Sequence, residues 1–124
     1  MKYAIQIGGH DVDSDCAQTG LDFIVAALAA GHGIERVFFY RDGVRWAFAD
    51  DSGTPDSAAA WVRLAEQQGI PLVFCTAAAE RRGLMSADAE QSRHAPLPGF
   101  QPGGLASWLD ACLKADRVLV FGQT

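Results

Sequence analysis

Apolar and polar positions alternate along the chain in blocks whose period switches between strand and helix. Tyr3 to Ile7 reads as a first strand, followed by a polar loop from His10 to Asp15. Ala17, Leu21, Ile24, Val25 and Leu28 then fall on one face of a helix, which Gly31 and Gly33 stop. Ile34 to Tyr40 is a second strand, apolar enough to be buried on both faces. Arg41-Asp42-Gly43 is a turn, and Val44 to Ala49 an irregular or one-turn helix. Thr54-Pro55-Asp56 opens a helix, with Thr as cap and Pro at the first helical position; it is expected to bury Trp61, Leu64, Ala65 and part of Gln68, and it ends at Gly69. Leu72-Val73-Phe74 is a third strand that runs into Cys75.

Thr76 to Arg82 is rich in strong helix formers, and Gly83 ends it. Leu84 to Gly104 is the longest irregular stretch, broken by Pro96, Pro98 and Pro102, with room for a short helix at Ser86 to Glu90. Leu105, Trp108, Leu109, Cys112 and Leu113 mark the core face of a last helix, and Arg117 to Phe121 a last strand. This order predicts a single three-layer α/β/α domain over residues 1–124, its sheet mostly parallel and of about four to five strands. In such sheets, reaction sites lie beyond the carboxyl ends of the strands.

Composition narrows the function. The 124 residues are 49% hydrophobic and 20% charged, as expected of one globular domain. The net charge of −5 argues against direct nucleic-acid binding and against anionic membranes, which need a dense basic surface. No apolar run has the length of a membrane span, and Met1 to Gly9 reads as a strand rather than a leader, so the expected compartment is the cytoplasm. Cys16, Cys75 and Cys112 form an odd, widely spaced set without C-x-x-C, which argues against a disulfide scaffold and a zinc site.

Cys75 stands where a parallel sheet places chemistry, after an apolar strand and before a helix. The unpartnered amides that open a helix favour a thiolate, as do nearby cations. Arg81 and Arg82 would add positive potential if they folded back, and Thr76 is a further candidate supporting residue. A buried cysteine ending a core strand is the competing reading. Cys112 reads as core filler. Cys16 follows the acidic run Asp11-Val12-Asp13-Ser14-Asp15, whose carboxylates disfavour a thiolate.

That run resembles the start of a haloacid-dehalogenase-type phosphatase only poorly, because Gly8-Gly9-His10 intervene after the strand. It reads instead as a loop in which Ser14 or Asp15 caps the next helix. Cys75 to Arg81 fits the C-x5-R spacing of tyrosine phosphatases and some arsenate reductases. That chemistry needs a cradle of amides, whereas Thr76-Ala77-Ala78-Ala79-Glu80 favours a plain helix. Among the histidines, His10 is the candidate, because its loop opens at the same end of the sheet as Cys75. No phosphate-binding or dinucleotide fingerprint is present, and no cofactor is expected.

Four blocks resemble the DsrE/TusD-type sulfur-relay family, in family order and across nearly the whole chain. They are Val37-Phe38-Phe39-Tyr40-Arg41-Asp42-Gly43-Val44; Cys75 to Gly83; Gly99-Phe100 with Gly104-Leu105; and Ala115 to Phe121. The Asp11–Asp15 loop and residues 46–58 depart from the pattern. The resemblance implies a compact α/β domain within a hexamer-like homo- or hetero-oligomer of related small subunits, and an active cysteine matching Cys75. That cysteine would take sulfane sulfur as a persulfide from an upstream carrier and pass it to a downstream cysteine acceptor. The family serves either 2-thiolation of a tRNA wobble uridine or dissimilatory sulfur oxidation. The alternatives are a non-catalytic subunit of the same kind of complex and, more remotely, a C-x5-R enzyme. Leu84–Gly104 is expected to act as a lid or partner surface. Trp46, Phe48 and Phe100 are candidates either for subunit interfaces or for the core.

Overall fold

The computed structural model describes residues 1–9, 15–48, 56–86 and 95–122. The chain runs β1 (Lys2–Ile7), α1 (Cys16–Ala29), β2 (Gly33–Phe39), a 3-10 segment (Arg41–Ala47), α2 (Asp56–Gln68), β3 (Leu72–Cys75), α3 (Thr76–Arg81), β4 (Phe100–Gly103), α4 (Leu105–Lys114) and β5 (Arg117–Phe121). The five strands form one sheet in the order β4-β3-β2-β1-β5, and every pairing is parallel. The expected α/β architecture is therefore present, with its strand carboxyl ends along one edge.

Alternation along β2 shows how the layers form. Phe38 and Phe39 point to opposite faces. Phe39 meets Trp61 of α2 edge-on at 5.2 Å between ring centroids, and Phe38 stacks on Trp108 of α4 at 5.8 Å. On the first face, Ile5, Ile7, Val37, Leu72 and Phe74 pack under α1 and α2 in the buried core. Burial of rings such as Trp61 and Phe39 contributes on the order of 2–3 kcal/mol each. The second face carries α4. Arg36 on β2 ties α4 down: its guanidinium donates to the Ser107 carbonyl and hydroxyl, and to Asp110 at 3.1 Å.

Several sequence readings need correction. The region read as irregular up to Gly104 ends in β4, which pairs with β3 from Leu72↔Phe100 to Cys75↔Gly103. Pro102 is tolerated because β4 is an edge strand. Trp46, Phe48 and Phe100 are all buried and belong to the core. Val25, by contrast, is exposed on α1. In α4 the inward residues are Trp108 and Ala111, while Leu105, Leu109 and Leu113 face outward and are exposed. Val118 and Val120 of β5 are exposed as well. Asp15 precedes α1 in a left-handed conformation, with no side-chain cap hydrogen bond. The predicted cap at Thr54-Pro55, the Asp11–Ser14 run and most of the Ser86–Glu90 helix lie outside the described residues.

Candidate functional site

Cys75 is the last residue of β3, a strand buried along its whole length, and the N-cap of α3. It adopts extended backbone angles (φ −74°, ψ 115°) and has no side-chain cap hydrogen bond. By strand alternation it faces the side of the sheet that carries α4, as Val73 does. It is only 3% exposed. Its neighbour across the ladder is Gly103. A Cβ at Gly103 would lie 2.6 Å from Val73 Cγ1 and 3.4 Å from Ser107 Cβ, so the bare glycine lets α4 close over this corner.

The other candidate residues lie around that thiol as follows. Thr76 donates its hydroxyl to the Gly103 carbonyl at 3.2 Å and so joins the first turn of α3 to β4. Arg81 is exposed at the end of α3. Arg82 does not fold back over Cys75; its Nε donates to Asp42 Oδ1 at 2.8 Å, and Nη1 donates to the Ala78 carbonyl at 3.1 Å. Its charge is thus shared with a carboxylate on the 3-10 segment. His10 lies outside the described residues. Residues Thr76–Arg81 are helical, so the C-x5-R spacing does not form an anion cradle.

The turn and one-turn helix expected over residues 41–49 form one continuous 3-10 segment, Arg41–Ala47, whose contacts with the end of β1 the sequence does not disclose. Gly43 presses on the end of β1: a Cβ there would stand 2.1 Å from the Ile7 carbonyl oxygen. Trp46 donates its indole N–H to the Gly9 carbonyl at 2.9 Å. Ala47 accepts from the Leu97 amide at 2.7 Å, and Phe48 packs on Phe74. Asp42-Gly43 reads in the sequence as an ordinary turn; the signal available was its place directly after a buried strand.

The remaining cysteines lie on other helices. Cys16 is buried at the start of α1. Cys112 is half-buried on α4, and burial pushes its thiol above its ordinary range. A shallow depression of about 320 Å³ lined by Ala65, Ile70, Pro71 and Gly99 lies at the opposite end of β3 from Cys75. Among the described residues, no cluster of three or more His, Cys, Asp or Glu could hold a metal, and no helix is long and apolar enough to cross a membrane.

Comparison with known proteins decides the family. The DsrE/DsrF-like family matches residues 1–121. The chain belongs to the DsrE/DsrF-like family. A DsrE protein of Allochromatium vinosum is 37% identical over 99% of this chain and 100% of its own length. A sulfurtransferase TusD homolog of Pseudomonas aeruginosa is 40% identical over 98% of both chains. In fold, the chain is similar to the ychN protein of E. coli, with a TM-score of 0.75 at 20% identity over 98% of this chain and 99% of that one. Within this DsrE/DsrF-like chain, the β3–α3 junction and the Arg41–Ala47 segment form one corner of the sheet, and Cys75 is its nucleophile candidate.

Proposed function

We propose that the chain is a sulfurtransferase relay subunit that carries sulfane sulfur as a persulfide on Cys75. The observation that carries this reading is the position of Cys75, which ends a central parallel strand and opens a helix, at the sheet edge where such folds do chemistry. Relatives named for sulfur transfer, aligned over nearly the whole chain, support the reaction class.

The transfer balances without an external oxidant. The Cys75 thiolate attacks the terminal sulfur of a donor persulfide; a sulfur–sulfur bond forms at Cys75, and the donor leaves as a thiolate. An acceptor thiolate then attacks the outer sulfur, and Cys75 leaves as the thiolate. The first amides of α3 have no intrahelical partner and open toward the residue that precedes them, which suits an anionic sulfur at this end. The near-complete burial of Cys75 shields a loaded sulfur from small thiols. Donor and acceptor are carrier proteins bearing cysteines, and the product serves either tRNA thiolation or sulfur oxidation.

The partners include related small subunits. Leu105, Leu109 and Leu113 form an exposed apolar stripe on α4, and Val118 and Val120 are exposed on β5, on the same side of the sheet. Such a surface suits protein contacts.

The test is sulfur loading. The protein is incubated with a persulfide donor, and its peptides are weighed. One added sulfur on the peptide containing Cys75, absent in Cys75→Ser, is the expected result. Labelling confined to Cys16 or Cys112 overturns the assignment. Phosphatase activity without sulfur uptake favours the C-x5-R alternative.

A further inference from the structure

The six residues of α3 are too few to hold a helix in place by its own hydrogen bonds. Side chains at its two ends fix it instead. At its start, Thr76 is bonded to Gly103 of β4. At its finish, the Arg82 guanidinium bridges the Ala78 carbonyl and the Asp42 carboxylate. Asp42 belongs to a segment that is itself anchored, by the contact of Gly43 with the Ile7 carbonyl and by the Trp46–Gly9 hydrogen bond. The Arg82–Asp42 pair therefore joins the helix that begins at Cys75 to a fixed point at the end of β1.

Cys75 is too buried to meet a persulfide on another protein unless this corner opens. The pair is suited to controlling that step. The Asp42 side chain is 64% exposed, so the bridge sits at the surface and adds little to global stability. It can break without unfolding the domain. Its attraction is also open to screening by salt.

We propose that Arg82 and Asp42 are positioning residues whose ion pair holds α3 against the 3-10 segment and sets how often Cys75 becomes accessible. The role of that access rests on the relay reading, but access itself is measurable without any sulfur transfer.

The test is alkylation of the full chain by iodoacetamide, with peptide masses reporting Cys16, Cys75 and Cys112 separately. Asp42→Asn and Arg82→Gln are expected to speed Cys75 alkylation roughly two- to fivefold, the factor that corresponds to about 0.5–1 kcal/mol. Cys112 keeps its rate, and the urea midpoint falls by no more than corresponds to that same about 0.5–1 kcal/mol. The double variant is no faster than either single one, and Arg82→Lys falls between wild type and Arg82→Gln. Raising the salt to molar levels speeds Cys75 in the wild type and leaves Asp42→Asn unchanged. An unchanged Cys75 rate in Asp42→Asn overturns the proposal, as does equal acceleration of all three cysteines. If Cys75 responds as expected but takes up no sulfur from a persulfide donor, the relay reading fails and the latch stands. If it loads sulfur but ignores the charge variants, the latch alone fails.

Discussion

The two faces of the sheet are covered to different degrees. On the first, α1 and α2 pack aromatic and branched side chains into a sealed core, with Trp61, Ile24 and Phe39 almost fully buried. On the second, α4 buries Trp108 and Ala111 but leaves Leu105, Leu109 and Leu113 in solvent, and β5 leaves Val118 and Val120 bare. By strand alternation Cys75 points to the second face, beside Gly103 of β4 and at the start of α3. A face that only stabilises can be sealed within one chain. On the relay reading proposed above, the second face would have to keep surface for partner proteins and still protect the Cys75 thiol.

Substitutions on the two sides test that contrast. The largest effect is expected at Gly43→Ala, where a methyl would run into the backbone at Ile7 rather than into a movable side chain. A loss of about 3 kcal/mol is expected, read as a fall in the urea midpoint. Trp108→Ala removes the ring stacked on Phe38 and should cost about 2–3 kcal/mol, since the ring is only partly buried. Leu113→Ser, at a side chain 77% exposed, should change the stability of the isolated chain by less than about 0.5 kcal/mol. A cost of several kcal/mol there would mean that the outer stripe is core after all. Sedimentation of the same variant should show weaker association than the wild type.

The smallest effect is electrostatic. The Lys114 ammonium, then the Arg36 guanidinium, hold the Asp110 carboxyl below its ordinary value of 3.8. A lowered folded pKa stabilises the fold where the carboxyl is ionised, and the gain is lost as pH falls through that value. Wild type should therefore exceed Asp110→Asn in urea midpoint at pH 7, and the difference should shrink once the pH drops below the ordinary value. A difference that persists in strong acid would assign the effect to packing.

Much of this molecule is legible in its sequence, and the rest is hidden for identifiable reasons. The strand–helix alternation is carried by strong periodic runs, and α2 around Trp61 and Leu64 forms as its pattern predicts. The junction of β3 and α3 at Cys75 likewise follows from an apolar run ending against Thr76-Ala77-Ala78-Ala79. β4 escaped because Phe100–Gly103 has four residues and contains both Pro and Gly, which local propensity scores as loop. The orientation of α4 is not legible because both its faces carry apolar residues; periodicity reports that a face is apolar, not that the same chain buries it. Arg82 and Asp42 stand forty residues apart and meet only because β3 and β2 are neighbours in the sheet. No local spacing encodes that pair.

The most direct test follows one labelled sulfur through the chain. A Cys16→Ser/Cys112→Ala variant, which keeps Cys75 as its sole thiol, is loaded from a radiolabelled persulfide donor, freed of donor and given a protein thiol acceptor. The account predicts about one label per chain, on Cys75, and its passage to the acceptor as the Cys75 persulfide disappears. Label that never reaches Cys75, or that passes equally well through a chain carrying Cys75→Ser, contradicts it.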